Sequence, residues 1–183
     1  MTAKLITITI TITITITITI TIIIATLLFS IAANAQVRTP SSPSKPFVVK
    51  TKQQISDIYR AAEKEMGNKQ IDVFPAPGTQ MRVAVFHDEK RENDLFEVHD
   101  ASDDVYYILE GTATLMLGGT LTEPNEISPG EWRSKAGSGG TAVQVQKGDL
   151  IVVPRGTPHQ RTVTGKGFSM IIIKVFAENV KPS

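Results

Sequence analysis

The chain opens on an uncharged, strictly patterned run. From Leu5 to Ile31 no side chain is charged, and Thr alternates with Ile through "TITITITITITITIT". Alternation of this kind suits a β-strand, but a repeat so monotonous cannot specify one strand register. We therefore do not expect residues 1–35 to belong to the folded domain.

The same run carries the marks of a secretory signal peptide. Lys4 precedes the apolar stretch, and the small-residue sequence Ala33-Asn34-Ala35 stands before Gln36. This predicts an exported protein, periplasmic or secreted, with no membrane contact in its mature form. The run is also longer than the roughly 18 residues of a spanning segment, so an uncleaved membrane anchor over residues 5–31 is the alternative.

The next pattern change predicts a linker and one helix. Residues 36–50 include "VRTPSSPSKP", whose Pro and Ser content is typical of an extended linker. Apolar residues then recur at helical spacing after a possible N-cap, Thr51, and before Gly67, namely Ile55, Ile58, Tyr59, Ala62 and Met66. We predict an amphipathic helix over residues 51–68.

Short β-like runs make up the rest of the chain. Segments such as "MRVAVFH", "VYYILEG", "DLIVVP" and "FSMIIIKVF" are separated by Gly, Pro, Asn and Asp. Closely spaced runs of this kind predict an antiparallel, all-β sandwich or barrel over residues 71–178. Residues 118–141 are predicted to be a long inserted loop. In this loop, Trp132 is expected either to cover a pocket or to pack on the outer wall or a partner subunit.

Composition narrows the function classes. Because Lys4 is the one charged residue among residues 1–35, the mature chain has 18 basic and 18 acidic side chains, which gives no electrostatic reason to expect nucleic acid as a partner. The chain has no cysteine, which excludes disulfides, thiolate metal sites and cysteine nucleophiles.

Polar residues pair within and between the predicted strands. Glu97 and His99 are two apart in "FEVH", so a strand presents both on one face. Asp104 begins the next strand, where Tyr106 shares its face, and a hairpin would bring Asp104 beside His99. His159 supplies a second imidazole from a distant strand. Two imidazoles with one or two carboxylates suit a divalent transition metal such as Fe, Mn, Zn, Ni or Cu.

One stretch, "KGDLIVVPRGTPHQ", resembles the second motif of the cupin superfamily, Gly-x5-Pro-x-Gly-x2-His-x3-Asn. Gly148, Pro154, Gly156 and His159 stand at the motif's spacing, and Val163 replaces its final Asn.

A second stretch resembles the first cupin motif, Gly-x5-His-x-His-x(3,4)-Glu-x6-Gly, in a modified form. His99 falls at the second histidine, Asp104 at the glutamate and Gly111 at the final glycine. Glu97 replaces the first histidine, and Arg91 replaces the first glycine.

The resemblance, which covers roughly residues 81–176, implies a double-stranded β-helix, the cupin jelly-roll barrel, preceded here by one helix. It implies metal ligation by Glu97, His99, Asp104 and His159. Because Asp is one methylene shorter than Glu, a three-ligand site without Asp104 is the alternative. The resemblance also implies a small-molecule ligand in the barrel and a homodimer.

Three kinds of function are compatible with this pattern. The first is a metal-dependent enzyme of dioxygenase, isomerase or lyase type acting on a small polar molecule, in which Tyr106 is the catalytic candidate. Its hydroxyl is expected to donate to substrate or to a ligand carboxylate, unless the ring merely fills volume. The second is a sugar- or carboxylate-binding protein, and the third is a metal-free structural domain. His87, before a charged turn, is expected to be solvated and outside the site.

Overall fold

The computed structural model describes residues 14–24 and 40–178. Residues 14–24 form helix α1, in which the hydroxyls of Thr19 and Thr21 donate to the carbonyls of Thr15 and Thr17. The Thr-Ile repeat is thus helical over this stretch. Within residues 14–24 and 40–178, no helix has the length and apolarity needed to cross a membrane. The cleavage sequence at residues 33–35 lies outside the described residues, so export stays a prediction.

Helix α2 (Lys52–Glu63) begins the domain and has a complete capping box. The Thr51 hydroxyl accepts from the Gln54 amide at 3.2 Å, and the Gln54 side chain accepts from the Thr51 amide at 2.9 Å. The helix ends earlier than the predicted residue 68, because the Lys64 amide bonds to the Ala61 carbonyl three residues back and tightens the last turn.

The strands of the described domain lie between residues 69 and 176. In chain order they are β1 (Lys69–Phe74), β2 (Met81–Asp88), β3 (Phe96–His99), β4 (Ser102–Glu110), β5 (Thr112–Leu117), β6 (Thr120–Thr122), β7 (Asn125–Ser128), β8 (Glu131–Ser134), β9 (Ala136–Ser138), β10 (Thr141–Gln146), β11 (Leu150–Val153), β12 (His159–Thr162) and β13 (Phe168–Phe176).

These strands form two large antiparallel sheets. The five-stranded sheet has the order β1-β2-β13-β4-β11, and the six-stranded sheet has the order β10-β5-β12-β3-β8-β7. The core packs side chains of both sheets together, including Ile108 and Met170 from the first and Leu115 and Val145 from the second. The all-β prediction with one preceding helix is confirmed.

The segment 118–141, predicted as a long inserted loop, carries four short strands. Strands β6 and β9 pair as a separate two-stranded sheet, while β7 and β8 extend the six-stranded sheet. Gly119 makes the β6–β9 approach possible, because a Cβ there would lie 2.2 Å from the Ser138 carbonyl oxygen and its φ is +82°.

Alternation along the central strands separates an apolar end of the interior from a polar end. On β4 the residues Ser102, Asp104, Tyr106 and Ile108 are buried. On β13, which pairs with β4, Ile172 lies opposite Tyr106 and Lys174 lies opposite Asp104. Because opposed residues of paired strands share a face, Lys174 and Asp104 enter the interior together at its polar end.

The six-stranded sheet has a narrow junction in its middle. Strand β12 pairs with β5 over four residues, but its ladder with β3 consists of one pair, His159 opposite Glu97. The sheet junction and the polar end of the interior therefore coincide.

Candidate metal centre

A cavity of about 530 Å³ lies between the two sheets. Its apolar lining includes Phe86, Leu115, Leu117 and Ile172. The structure brings together at its polar wall the five residues that the sequence predicted, which are Glu97, His99, Asp104, Tyr106 and His159.

Three of these side chains present ligand atoms to one another. Glu97, His99 and His159 each offer one ligand atom, and these three atoms all lie within 4.8 Å of one another. Glu97 Oε2 is 3.5 Å from His99 Nε2 and 3.9 Å from His159 Nε2. Glu97 and His99 share a face of β3, and the β3–β12 pair adds His159. The arrangement is the two-histidine, one-carboxylate set that holds divalent transition metals.

The turn after β11 places His159. The Thr157 amide bonds to the Pro154 carbonyl at 3.1 Å, and Gly156 has a φ of +76°, a left-handed conformation that favours glycine. The Gly156 amide then donates to the His99 carbonyl at 2.8 Å. The turn is thus tied to the residue that carries the other imidazole.

A hydrogen bond fixes which nitrogen of His159 faces the cavity. Nδ1 lies 2.9 Å from the Thr157 carbonyl oxygen, and because a carbonyl can only accept, Nδ1 carries the proton. Burial lowers the pKa of His159, so the ring is neutral and Nε2 bears a lone pair. Within the described part of the chain, this buried Nε2 has no hydrogen-bond partner. An unpaired buried acceptor is costly, and a metal ion would satisfy it.

Glu131 fixes His99 in the same way. Glu131 is the residue opposite His99 in the β3–β8 ladder, and its Oε2 lies 2.6 Å from His99 Nδ1. This contact orients the ring so that His99 Nε2 faces the cavity. Burial lowers the pKa of His99, but hydrogen bonds to Glu131 and then Glu97 outweigh it and raise the pKa to about 9. Without an ion, His99 therefore holds a second proton at neutral pH, and an ion would replace that proton.

Glu97 is ionised across the neutral range. Burial raises its pKa, but the His99 hydrogen bond and the Arg133 charge outweigh this effect and lower the pKa to about 2. The donor set of a neutral imidazole, an ionisable imidazole and a carboxylate fits a divalent ion.

Asp104 lies at the edge of this group and is held from two sides. Its Oδ2 is 3.6 Å from His99 Nε2 and accepts a hydrogen bond from the Tyr106 hydroxyl at 3.0 Å. Its Oδ1 forms an ion pair of 3.2 Å with Lys174 Nζ, without hydrogen-bond geometry. Glu97, His99 and His159 are the residues whose ligand atoms all lie close to one another, which agrees with the three-ligand alternative. Asp104 connects this group to Tyr106 and Lys174.

Tyr106 faces the cavity and stays protonated. Burial, followed by the charge of Asp104, raises its pKa well above 10. Of the two predicted acceptors for its hydroxyl, substrate or a carboxylate, the structure provides the carboxylate of Asp104.

Sequence reasoning missed three charged residues of the site. Glu131 and Arg133 lie on β8, inside the segment predicted as a loop, and the alternation in "EWRS" is the signal that places them on one strand face. Lys174 lies in the apolar run "FSMIIIKVF", where a lone charge in a buried strand is the signal.

The structure also locates two other residues that the sequence singled out, His87 and Trp132. His87 is buried, with 4% of its surface exposed, and its Nδ1 lies 2.9 Å from Ser169 Oγ, so the expectation of a solvated side chain was wrong. As the sequence predicted, His87 does not line the cavity.

Trp132 is opposite Val98, on the other face of β8 from Arg133, and its indole donates to Asp100. Its side chain therefore lies on the outer face of the strand, and it does not line the cavity.

Several solved structures are similar to this chain. BH2720 from Bacillus halodurans gives a TM-score of 0.50 at 15% identity over 79% of this chain and 92% of that one. KdgF from Halomonas sp. gives 0.45 at 15% identity over 62% and 84%. The Schizosaccharomyces pombe Cnp3 cupin domain gives 0.45 at 13% identity over 60% and 61%.

No family model matches the chain, and no curated protein matches it in sequence. At the identities of these structures, the likeness concerns the fold alone. With two antiparallel sheets around a cavity lined by both cupin-like motifs, the domain has the jelly-roll fold of the cupin type.

Proposed function

We propose that this protein is an exported, metal-dependent enzyme of cupin fold that acts on a small polar molecule in the cavity. The observation that carries the proposal is the unpaired, buried Nε2 of His159, which faces a carboxylate oxygen and a second imidazole nitrogen. Buried polar atoms are almost always paired, so an unpaired lone pair at this position indicates a missing partner of positive charge.

The chain supplies proton-transfer groups beside the ligand set. A bound divalent ion would polarise an oxygen of the substrate. Asp104, Tyr106 and Lys174 are in contact with one another through the Asp104 carboxylate, and all three line the cavity. Connected groups of this kind can accept a proton from one atom of a bound molecule and return it to another. This favours a reaction of isomerase or lyase type over a dioxygenase.

Metal content tests the proposal directly. The full chain, produced in an exporting host without chelator, is expected to contain close to one divalent transition metal ion per chain by elemental analysis. His99→Ala and His159→Ala should each lose the ion, because each removes one of the ligand atoms.

His87→Ala is the matched control, since it removes a buried histidine that does not line the cavity. It should keep the metal content of the wild type. A wild-type protein that never contains stoichiometric metal would favour the metal-free structural function and would exclude the proposal.

Turnover separates an enzyme from a binding protein. We expect the loaded protein to convert a small polar substrate without consuming oxygen, and Asp104→Asn to abolish conversion while metal content persists. Oxygen consumption during turnover would assign the dioxygenase type. Saturable binding of sugars or carboxylates with no product would favour the binding protein.

Export is supported by the features of residues 1–35 given above. We expect the protein recovered from the periplasm or medium to begin at Gln36. A protein that stays in the membrane fraction with residues 5–31 retained would support the anchor instead.

A homodimer is supported by an apolar strip on the outer face of the five-stranded sheet. Leu150 and Val152 on the edge strand β11 are 65% and 60% exposed, and Tyr107 lies opposite Leu150. Exposed apolar edge strands are sites of association. Light scattering is expected to give twice the chain mass, and the double change Leu150→Glu, Val152→Glu to give one chain mass. Ile127→Glu, at a separate exposed position, should leave the dimer intact.

A further inference from the structure

Arg133 stands beside the proposed metal ligands and faces the cavity. It lies opposite Glu97 in the β3–β8 ladder, and its guanidinium is 3.7 Å from Glu97 Oε1 and 3.5 Å from Glu131 Oε2. Its side chain is 21% exposed, and it lines the cavity. The guanidinium therefore borders the space in which a molecule at the metal centre would lie.

The other arginines of the cavity donate hydrogen bonds to carboxylates. Arg82 donates twice to Asp72, at 2.6 and 2.9 Å. Arg161 donates to Asp88 at 2.7 Å, and Arg91 binds Asp94 as well as Asp88. In the described part of the chain, the hydrogen bond of Arg133 goes instead to the Trp132 carbonyl, through Nη1 alone. Its ion pairs with Glu97 and Glu131, at 3.7 and 3.5 Å, include no hydrogen bond among the described residues, so its remaining donors can bind a ligand.

The charges around the centre favour an anion once an ion is present. Glu97, Asp104 and Glu131 contribute three negative charges, and Arg133 and Lys174 contribute two positive ones. With a divalent ion bound between two neutral imidazoles, these charges sum to one positive charge. A bound monoanion would bring this partly buried cluster to neutrality, and compensation of charge is worth most where water is excluded.

Resting on the proposed function, we propose that Arg133 binds the carboxylate of a small monoanionic substrate beside the metal ion. The planar guanidinium matches a carboxylate with two parallel hydrogen bonds. A phosphate dianion would leave the cluster with excess negative charge. Arg133 thus determines the substrate class, while Glu97, His99 and His159 hold the ion.

Glycolate, a small monoanion, is the probe, and glycolamide is its uncharged match. Titration calorimetry is carried out on the full chain loaded with Zn²⁺ to full occupancy, with metal content measured after each titration. We expect saturable glycolate binding that Arg133→Gln weakens about 10- to 100-fold, the size of a lost charge-assisted pair. Glycolamide should bind more weakly than glycolate to the wild type and equally to wild type and variant.

Arg82→Gln is the control, since it removes a cavity arginine that Asp72 already binds, and it should change glycolate binding by less than about twofold. Arg133→Lys, which keeps the charge but not the planar fork, should give an intermediate affinity.

Equal glycolate affinity in the loaded wild type and Arg133→Gln would overturn the inference and leave the metal site intact. Absence of glycolate binding, or tighter binding of inorganic phosphate or glycolamide, would overturn it as well. If the wild type takes up no Zn²⁺, the proposed function fails. Arg133 is then judged by glycolate binding to the metal-free wild type and Arg133→Gln, where equal affinities or no binding overturn the inference.

Discussion

The hydrogen-bond partners of the two histidines determine which ring nitrogen is available to an ion. Thr157 and Glu131 each bind the Nδ1 of an imidazole, and by doing so they leave Nε2 of both histidines for an ion. The distinction matters because a histidine that rotates or changes tautomer loses its value as a ligand. Glu131 has the larger effect, since a carboxylate also raises the basicity of the ring.

Glu131→Gln is expected to weaken metal affinity about 10- to 100-fold, the range found when a hydrogen-bond partner of a ligating histidine is changed. The amide still accepts from Nδ1 but carries no charge. Competition with a chelator of known affinity measures the loss. Glu92→Gln, which removes an exposed glutamate paired with exposed Lys90, should bind metal as the wild type does. Equal metal affinities for the two variants would show that Glu131 does not support metal binding.

Metal affinity is expected to depend on pH through His99. Its pKa of about 9 in the metal-free protein means that binding displaces one proton below that pH. Affinity should therefore rise about tenfold per pH unit from about pH 7 to about pH 9 and then level off. Chelator competition at several pH values, corrected for the chelator's own protonation, gives the slope. An affinity that does not change with pH would show that metal binding releases no proton from His99.

The linked effect on stability has the opposite direction. Because the folded pKa of His99 is raised above its ordinary value of 6.5 to about 9, its contribution to the metal-free fold is fully present below pH 6.5. The contribution is lost as pH rises through 9.

Some residues of the site could be predicted from the sequence, and others could not. Glu97, His99 and His159 follow from strand alternation and motif spacing, which depend on neighbours along the chain. Arg133 and Lys174 depend on which strands become neighbours across a sheet, and a ladder between distant segments leaves no local pattern. Asp104 was predicted as a site residue, but Lys174 was not. The ion pair between the two side chains was therefore not predicted either.

At the scale of elements, tight approaches between backbones determine which strands can pair. Gly111 joins β4 to β5, has a φ of +79°, and would place a Cβ 2.2 Å from the Gly167 carbonyl oxygen. The strands outside residues 118–141 and helix α2 were predictable because alternation and capping are local. The four strands of residues 118–141 were not, since they are short, Gly-rich and stabilised by pairing with other segments.

Gly111→Ala is expected to destabilise the domain by about 3 kcal/mol or more, from the left-handed backbone and the backbone clash together. Gly67→Ala isolates the first effect, because Gly67 has the same φ of +79° and a Cβ added there would meet nothing within 4 Å. It should cost roughly 1–2 kcal/mol. Urea denaturation measures both free energies of unfolding, and equal values would show that the Gly111–Gly167 approach relaxes freely.

For the whole molecule, a ligand that binds the folded state alone adds to its stability. The three proposed ligand residues come from two strands distant in sequence, so the unfolded chain has no preformed site. Metal binding and folding are then linked quantities.

Zn²⁺ at about 100 times its dissociation constant is expected to add about 2.7 kcal/mol and to raise the Tm by roughly 8 °C. His159→Ala and His99→Ala should show no rise, and His87→Ala should show the full rise. Scanning calorimetry over a metal titration makes the measurement. A Tm that rises equally in all four proteins would mean that the ion binds elsewhere.

The one-pair ladder between β3 and β12 has a consequence for how the domain opens. An ion held by Glu97, His99 and His159 would clamp the six-stranded sheet at its narrowest junction. Without the ion, β3, β8 and β7 should separate from β12 as a cooperative unit before the rest unfolds. Hydrogen exchange is then expected to be faster in these three strands of the metal-free protein, while β4 and β13 keep their protection. Metal scarcity would thereby be converted into selective exposure of one edge of the protein to proteases.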